Sequence, residues 1–572
     1  MGNQEEMPSN LWNRISKSVR REPVVPIIAL AAFLLMFFGT WRLRPHLTFP
    51  DETGAIELAL RMGYEQNPFI DNFRKGGNLH LYLLALSFVP VTLYWLVTGQ
   101  FGDIMSGAAS VGSSPSWGVS PDLLTAFYDV LFAGRLVSVL FGVGTVVVLY
   151  YLGRELLDRR AGILASVFLT TSVGYVLTAH YATEDVPMTF FLMLGFLLTV
   201  RAFHSRETRT LLAAALVAGL AASTKATAGL LVLPIAIVII ERHWDGSRTV
   251  GEFVKAVWRY PTLTILSYVT TTPSIFVHPG SWADEISRYI YRSTSDSVAY
   301  NWSDPGWLIQ LAHLAEGQGI MLFLFSILSV LLVIAFLLRG TLDSAVWLLL
   351  VYAIPYFIVI TQGNMTQFPR VMPLFPILAV LAGIAGSELS QFSHPVRLAG
   401  IGLLTLVIVF SGVHTTVGVA DINESRQEAT AWTHANLDSS DTVDVYSQQV
   451  YLPEFPDETT VNRYEIHSTF PRENWQPGLE RLDCNAPEYV VLSSYHYFRF
   501  FKDPSVFPDV TERMSALFAE EDYEIVRTFG PPVNTELSAE RKFRDSAGLS
   551  SFPEDGNPTI LVMKRIDDEP TC

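Results

Sequence analysis

Residues 22–57 read EPVVPIIALAAFLLMFFGTWRLRPHLTFPDETGAIE. From Val24 to Trp41 no side chain is charged, and the run comes close to the roughly 20 residues an α-helix needs to cross a hydrocarbon core. Arg14, Lys17, Arg20 and Arg21 precede it and no small-residue cleavage site follows, so it reads as a retained first span rather than a removed signal peptide. Directly behind it stand two adjacent carboxylates, Asp51 and Glu52. Similar apolar runs recur to about residue 415, half of the 572 residues are hydrophobic, and only 16% are charged. Those proportions belong to a polytopic α-helical membrane protein.

Charge divides the chain. Residues 1–415 carry 26 acidic and 26 basic side chains, whereas residues 416–572 carry 29 and 13, so the whole net charge of -16 lies in the tail. The expected organisation is a cytoplasmic N-terminal tail (1–23), a membrane domain (24–415) and an acidic, water-facing domain (416–572). In the last, helical and strand-like patterns alternate, as in TVDVYS, EYVVLSS and PTILVMKRI, which predicts a small α/β domain. Seven lysines stand against 32 arginines, a bias that salt adaptation of a prokaryotic protein and a GC-rich genome explain equally well. The basic residues occupy short loops rather than a patch interleaved with aromatics, which argues against a nucleic-acid partner. Cys484 and Cys572, both in the tail, are candidates for a disulfide if that domain faces an oxidising compartment. No CxxC or Cys/His cluster offers a thiolate metal site.

Orientation follows from the loops. The stretch 79–98, LHLYLLALSFVPVTLYWLVT, is apolar enough to span, but counting it as a span would put Arg154, Arg159 and Arg160 outside, against the cytoplasmic excess of Lys and Arg. Laid along or dipped into the outer face, it leaves 16 basic residues in about 76 cytoplasmic positions and 9 in about 148 outer ones, the asymmetry that rule expects. Eleven spans result, near 24–41, 131–152, 161–178, 186–203, 211–222, 225–241, 261–278, 318–338, 344–361, 371–387 and 397–415. The N-terminus is then cytoplasmic, and residues 42–130, 179–185 and the tail share the outer face.

On that face the chain places its acids. Asp51 and Glu52 open DETGAIELALRM, where first-turn carboxylates stabilise a helix and where one of them would equally serve as general base toward an acceptor hydroxyl. Glu184 and Asp185 in HYATEDVPMTFF stand in the same position, ahead of Pro187 in a first helical turn. Capping, acceptor orientation and a divalent cation all remain open for them. Arg74, Lys75 and His80 in NFRKGGNLHLY, Arg135 in FAGRLVSVLFG, Lys225 in AASTKATAGLLVLP and Arg370 in FPRVMPLFPILAVLAG are ionisable groups at or near membrane depth. Such groups are functional candidates because burying them is costly, with snorkelling to headgroups as the competing reading. On the side of the acidic pairs they suit a lipid phosphate, which Arg grips bidentately.

Taken in order, the acidic pair behind span one, FRKGGNLHLYLLAL, AGRLVSVLFGVGTVVVLYYLGRELLDRRAGILAS, HYATEDVPMTFFLMLGF, STKATAGLLVLP and FPRVMPLFPILAVLAGI resemble the GT-C membrane glycosyltransferases. The likeness is to the protein O-mannosyltransferase-like and aminoarabinose-transferase-like group, glycosyltransferase family 39 and its relatives. It covers residues 24 to about 415, with the tail similar only in type.

The resemblance implies a polyprenyl- or dolichyl-phosphate sugar donor and inverting transfer to a hydroxyl of a protein, glycan or lipid, at the outer face of a plasma membrane. It implies juxtamembrane helices in the first outer loop. Carried over, Asp51 is the catalytic base with Glu52 as its companion, and Glu184, Asp185 and His180 form the second acidic, acceptor-side site. Arg74, Lys75, Arg135, Lys225 and Arg370 are the lipid-phosphate-side cations. Mg²⁺ or Mn²⁺, if bound, would involve Asp51 and Asp185, although this branch is not thought to need a metal.

RKGGNLHLY replaces the family's commoner Lys-Pro-Pro form, which implies a more flexible loop. His180 departs from the basic residue that often precedes the second acid, which bears on acceptor recognition. The tryptophan-aspartate signature of oligosaccharyltransferases is not visible. The rival reading is a transporter or flippase of a lipid-linked or anionic substrate. Such proteins typically carry internal repeats and helices broken at the midplane, and neither is visible.

Overall fold

The computed structural model describes residues 22–41, 50–111, 121–294, 302–362, 366–421, 424–446, 452–464, 476–535, 537–548 and 558–567, apart from positions 245, 247, 485 and 506. The expected cytoplasmic tail lies outside the described residues except for its last two positions. The expected apolar runs are helical, in Val24–Phe37, Pro121–Leu156, Arg159–Thr170 with Val173–Thr178, Asp185–Ser205, Thr208–Thr224, Val232–His243, Arg259–Thr270, Ile320–Leu338, Trp347–Ile360, Leu374–Leu389 and His394–Ala420. Among the described residues six helical stretches are long and apolar enough to cross a membrane by length and composition, and four apolar helices are shorter. Helix Pro121–Leu156 has 36 residues, about 54 Å at 1.5 Å per residue, and so outruns a hydrocarbon core of roughly 30 Å.

Small residues let these helices approach. A Cβ on Gly162 would stand 2.3 Å from the Tyr150 carbonyl oxygen, and one on Gly383 would stand 2.5 Å from that of Ala161. Close backbone approach of this kind is how helices associate where lipid offers no hydrophobic drive. The run 161–178, expected as one span, is two helices separated at Thr171 and Ser172. The Thr170 and Thr171 hydroxyls donate to the carbonyls four residues back, at 2.8 and 3.0 Å, a back-bonding that bends helices. Thr415 and Ser172 complete the break by donating to the Thr171 and Gly317 carbonyls, at 2.9 and 3.2 Å.

The ambiguous stretch 79–98 is also two helices, Leu79–Ser87 and Val89–Thr98, meeting where Pro90 lacks an N–H to offer the preceding turn. Although its length and composition alone would let it cross a membrane, its buried partners sit at one end of the bundle. Leu81, Leu84, Phe88 and Trp95 pack with Ala55, Ile56, Ala59 and Met62 of helix Pro50–Tyr64 and with residues 127–131 of Pro121–Leu156.

Among the described residues of the tail, five strands form a mixed sheet of order β2-β1-β3-β5-β4, with β1 Thr442–Val445, β2 Thr460–Arg463, β3 Tyr489–Ser493, β4 Tyr523–Phe529 and β5 Ile560–Arg565. β1 runs parallel to β2 and β3, while β5 runs antiparallel to β3 and β4. The apolar runs of β3 and β5 are buried almost throughout, as inner strands covered on both faces should be. β2, TVNR, was not anticipated, since four half-polar residues at a sheet edge carry little pattern. Cys484 is disulfide-bonded, whereas Cys572 lies outside the described residues.

The sheet unit docks on the helices through Ala539–Asp545. Its Ala539 N–H donates to Asp304 at 2.7 Å, Lys542 Nζ reaches both oxygens of Glu316 at 3.1 Å, and the Ser546 carbonyl accepts from Ile320 N–H at 3.0 Å. Helix Gly306–Gln318, which carries Glu316, packs in turn on Val173–Thr178, immediately before the second acidic pair. The sheet and both acidic pairs therefore lie at the same end of the helix bundle.

Candidate active site

Helix Pro50–Tyr64 begins with the two acids in its first turn, where the helix dipole favours them, but their side chains diverge. Glu52 is fully buried and clamped by Arg135. Arg135 Nη2 donates to Oε1 at 2.6 Å and Nε to Oε2 at 3.1 Å, and the Ala182 N–H adds a third bond at 2.9 Å. This clamp ties the helix carrying Asp51 to the loop carrying Glu184. The Asp51 side chain stays 39% exposed while Glu184 keeps 1%.

Between them lies Lys75. Its Nζ stands 2.7 Å from Asp51 Oδ2 and 2.6 Å from Glu184 Oε1. Arg74 lies beside it, with Nη2 3.4 Å from Asp51 Oδ1, Nε 3.4 Å from Glu184 Oε2, and a further bond to the Asp51 carbonyl. Glu184 occupies the N-cap position of Asp185–Ser205 yet makes no capping bond with its side chain, so simple capping does not account for it. Asp185 pairs instead with Lys225, Nζ to Oδ1 2.5 Å, and Lys225 reaches it because Thr208–Thr224 stops there, the Lys225 backbone being extended.

The glycines of RKGG are not a slack linker. Gly76 and Gly77 are buried, and a Cβ on Gly77 would come within 2.1 Å of the Ser223 carbonyl oxygen. The Lys75 turn is thus pressed against the chain just ahead of Lys225, which only glycine permits. That packing replaces the looser loop expected from the missing prolines.

Electrostatics follow from the geometry. Partial desolvation works to raise the Asp51 carboxyl, but the Lys75 ammonium and then the Arg74 guanidinium outweigh it and hold it below the usual range. Glu184, more deeply desolvated, is held well below that range by the same two cations. Lys75 itself is raised, since Asp51 and Glu184 together overcome its own burial. Asp51, Glu184 and Asp185 thus face Arg74, Lys75 and Lys225 in balance, with Glu52 and Arg135 forming a buried pair beside them.

This donor set does not suit a divalent cation. Among the described residues no group of three or more His, Cys, Asp or Glu is disposed to hold a metal, and the ammonium of Lys75 occupies the space between Asp51 and Glu184 where a shared ion would sit.

Of the residues singled out in the sequence, Asp51, Glu52, Arg74, Lys75, Arg135, Glu184, Asp185 and Lys225 are joined in one network. His180 serves its edge: Nδ1 lies 2.8 Å from the Val176 carbonyl and Nε2 2.9 Å from that of Phe38, fastening the second acidic loop to the end of the first helix. Arg370 sits on the turn Phe368–Val371, where its carbonyl accepts from the Tyr356 hydroxyl at 2.7 Å. That turn packs against helix Gly306–Gln318 and the buried group His313, Glu316 and Lys542, with the Phe368 ring 6.0 Å from His313. His80, singled out in sequence as an ionisable candidate, serves as a brace, its Nε2 donating to the Ala182 carbonyl at 3.1 Å, and Asn78, which sequence reading passed over, donates to Ser274 at 3.0 Å. Neither carries a pattern that betrays a contact so distant in sequence.

Over residues 123–267 the chain matches the sequence model of the dolichyl-phosphate-mannose-protein mannosyltransferase family. No curated protein matches it in sequence. Among solved structures, the archaeal oligosaccharyltransferase AglB from Archaeoglobus fulgidus, in complex with an inhibitory peptide and a dolichol-phosphate, is similar over 96% of this chain and 89% of its own, with TM-score 0.50 and 12% identity. ArnT from Cupriavidus metallidurans bound to undecaprenyl phosphate is similar over 95% and 98%, with TM-score 0.46 and 11% identity. The family match and the fold shared with AglB bear out the resemblance to GT-C glycosyltransferases, and they do not favour the transporter reading.

Proposed function

We propose that the chain is an inverting glycosyltransferase that moves a sugar from a polyprenyl- or dolichyl-phosphate donor to a hydroxyl of a protein, glycan or lipid at the outer face of a plasma membrane. One observation carries this reading: Asp51, solvent-accessible and held ionised, sits beside two cations at one end of an apolar helix bundle. In the reaction Asp51 takes the acceptor hydroxyl proton, and the acceptor oxygen bonds to the anomeric carbon from the side opposite the phosphate. The bond from that carbon to the phosphate oxygen breaks, its electron pair leaving with the phosphate. Arg74 and Lys75 supply positive charge where that oxyanion develops. The anion is a stable leaving group and needs no proton.

Glu184 sets Lys75 from behind. Asp185 with Lys225, and Glu52 with Arg135, hold the two acidic loops in register, so that of the four acids on this face only Asp51 touches the acceptor. The reaction runs without a metal, Lys75 taking the place between carboxylates that a cation would need. Eleven spans, a cytoplasmic N-terminus, an interfacial 79–98 and an outer domain over 416–572 complete the proposal. The dolichol-phosphate held by AglB and the mannosyltransferase family match support the donor class.

The test is Asp51→Asn in the purified full chain. Donor binding is retained and sugar transfer is lost, whereas near-normal turnover removes Asp51 as base.

A further inference from the structure

Lys75 bridges Asp51 and Glu184 from a turn that the sequence does not hold unaided. Its backbone is left-handed, with φ 50° and ψ 32°, and Gly76 follows at φ 98°. A lysine in that region persists only where its surroundings over-determine it. Ser223 and Ala226 crowd the turn from one side, and residues 268–286 hold it from the other. The Tyr268 hydroxyl donates to the Gly76 carbonyl, and Trp282 Nε1 donates to the Tyr268 oxygen at 2.8 Å. Ile286 closes the space above Gly76, its Cδ1 standing 3.2 Å from where a Cβ would be. The chain Trp282 N–H to Tyr268 O–H to Gly76 carbonyl runs in one direction, so each bond polarises the next.

We propose that Tyr268 and Trp282 are positioning residues for transfer: their relay locks the Lys75 turn so that one ammonium spans both carboxylates. This rests on the reading of Asp51 and Lys75 as the transfer site. Neither residue touches a reacting group. Removing the Tyr268 hydroxyl leaves the Gly76 carbonyl without its donor and frees the turn. Removing the Trp282 N–H weakens the same bond at one remove, so its effect is smaller.

The test reads Lys75 directly. Full-length protein in lipid nanodiscs is treated with trace acetic anhydride, and acetylation of each lysine is quantified by peptide mass spectrometry. Only the neutral amine reacts, and a doubly paired ammonium is held charged. In Tyr268→Phe, Lys75 acetylates about tenfold faster than in the wild type, the change that one lost hydrogen bond is worth. Trp282→Phe is intermediate, and Lys225 and Lys542 are unchanged. An unchanged Lys75 rate in Tyr268→Phe overturns the proposal. Should Tyr268→Phe expose Lys225 and Lys542 as well, Trp282→Phe decides alone, with a faster Lys75 supporting the relay and an unchanged one overturning it. Transfer assays on the same samples separate the two claims. A fall in kcat alongside faster labelling supports both, while full turnover in Asp51→Asn removes the transfer reading whatever the labelling shows.

Discussion

Arg135→Met removes the guanidinium that clamps Glu52. Both side chains are buried, 2% and 0% exposed, so solvent cannot take over when the partner is lost. Of the three hydrogen bonds that Glu52 accepts from Arg135 and Ala182, only the Ala182 N–H at 2.9 Å remains. Breaking a buried pair by removing one partner costs about 3–5 kcal/mol, because it strands an uncompensated charge. Glu52→Leu strands the arginine and costs a similar amount. Replacing both partners by apolar groups of similar shape removes the stranded charge, and such exchanges are often close to neutral. The double variant Glu52→Leu/Arg135→Met is therefore more stable than either single one, and the two single losses are far from additive. Unfolding of the four purified proteins in mixed detergent micelles measures the cycle. A loss below about 1 kcal/mol in Arg135→Met, the level of an exposed pair, refutes the reasoning, as does a double variant no more stable than the singles.

Three further outcomes follow from the network. The Asp51 carboxyl, held low by Lys75 and Arg74 against partial burial, stays ionised at every pH above its depressed value, and the stability its ion pairs contribute is lost only as pH falls through that value. In Lys75→Met the acid limb of kcat/KM therefore moves to higher pH, measured in a Glu57→Gln background because burial, opposed by Arg61, pushes Glu57 up to about 7; an unmoved limb contradicts the pairing. Transfer survives dialysis against EDTA, and activity lost to the chelator and restored by Mg²⁺ or Mn²⁺ contradicts the role given to Lys75. Lys542→Met leaves Glu316 buried without its ammonium, at about 3 kcal/mol, so limited proteolysis cuts the sheet domain away faster than in the wild type, and equal rates contradict the docking.

Apolar runs made the helices legible, because a chain in lipid must satisfy its backbone internally. The same rule explains why the acids at the helix mouths stood out: Asp51, Glu52, Glu184 and Asp185 interrupt segments that otherwise have no charge to spare. Pairing was not legible. Nothing local to Glu52 distinguishes its buried clamp from the open carboxylate of Asp51 one residue earlier. That difference arises because Arg135 enters from helix Pro121–Leu156 and the Ala182 N–H from a third segment. Arg370 looks equivalent to Lys225 in sequence, each being a cation beside an apolar run, and nothing local tells that its turn, Phe368–Val371, packs its Phe368 ring against His313. The glycines of RKGG misled in the opposite sense, since glycine serves close approach as readily as flexibility, and the Ser223 carbonyl that demands it lies 146 residues away.

The most direct measurement is single-turnover transfer by the full chain in nanodiscs, with a radiolabelled polyprenyl-phosphate sugar and membrane extract as the acceptor source, comparing wild type with Asp51→Asn. The account predicts that the wild type transfers label and that Asp51→Asn binds the donor but transfers at least about 100-fold more slowly, the lower end of what a positioned base contributes. Turnover in Asp51→Asn within a few-fold of the wild type would contradict it.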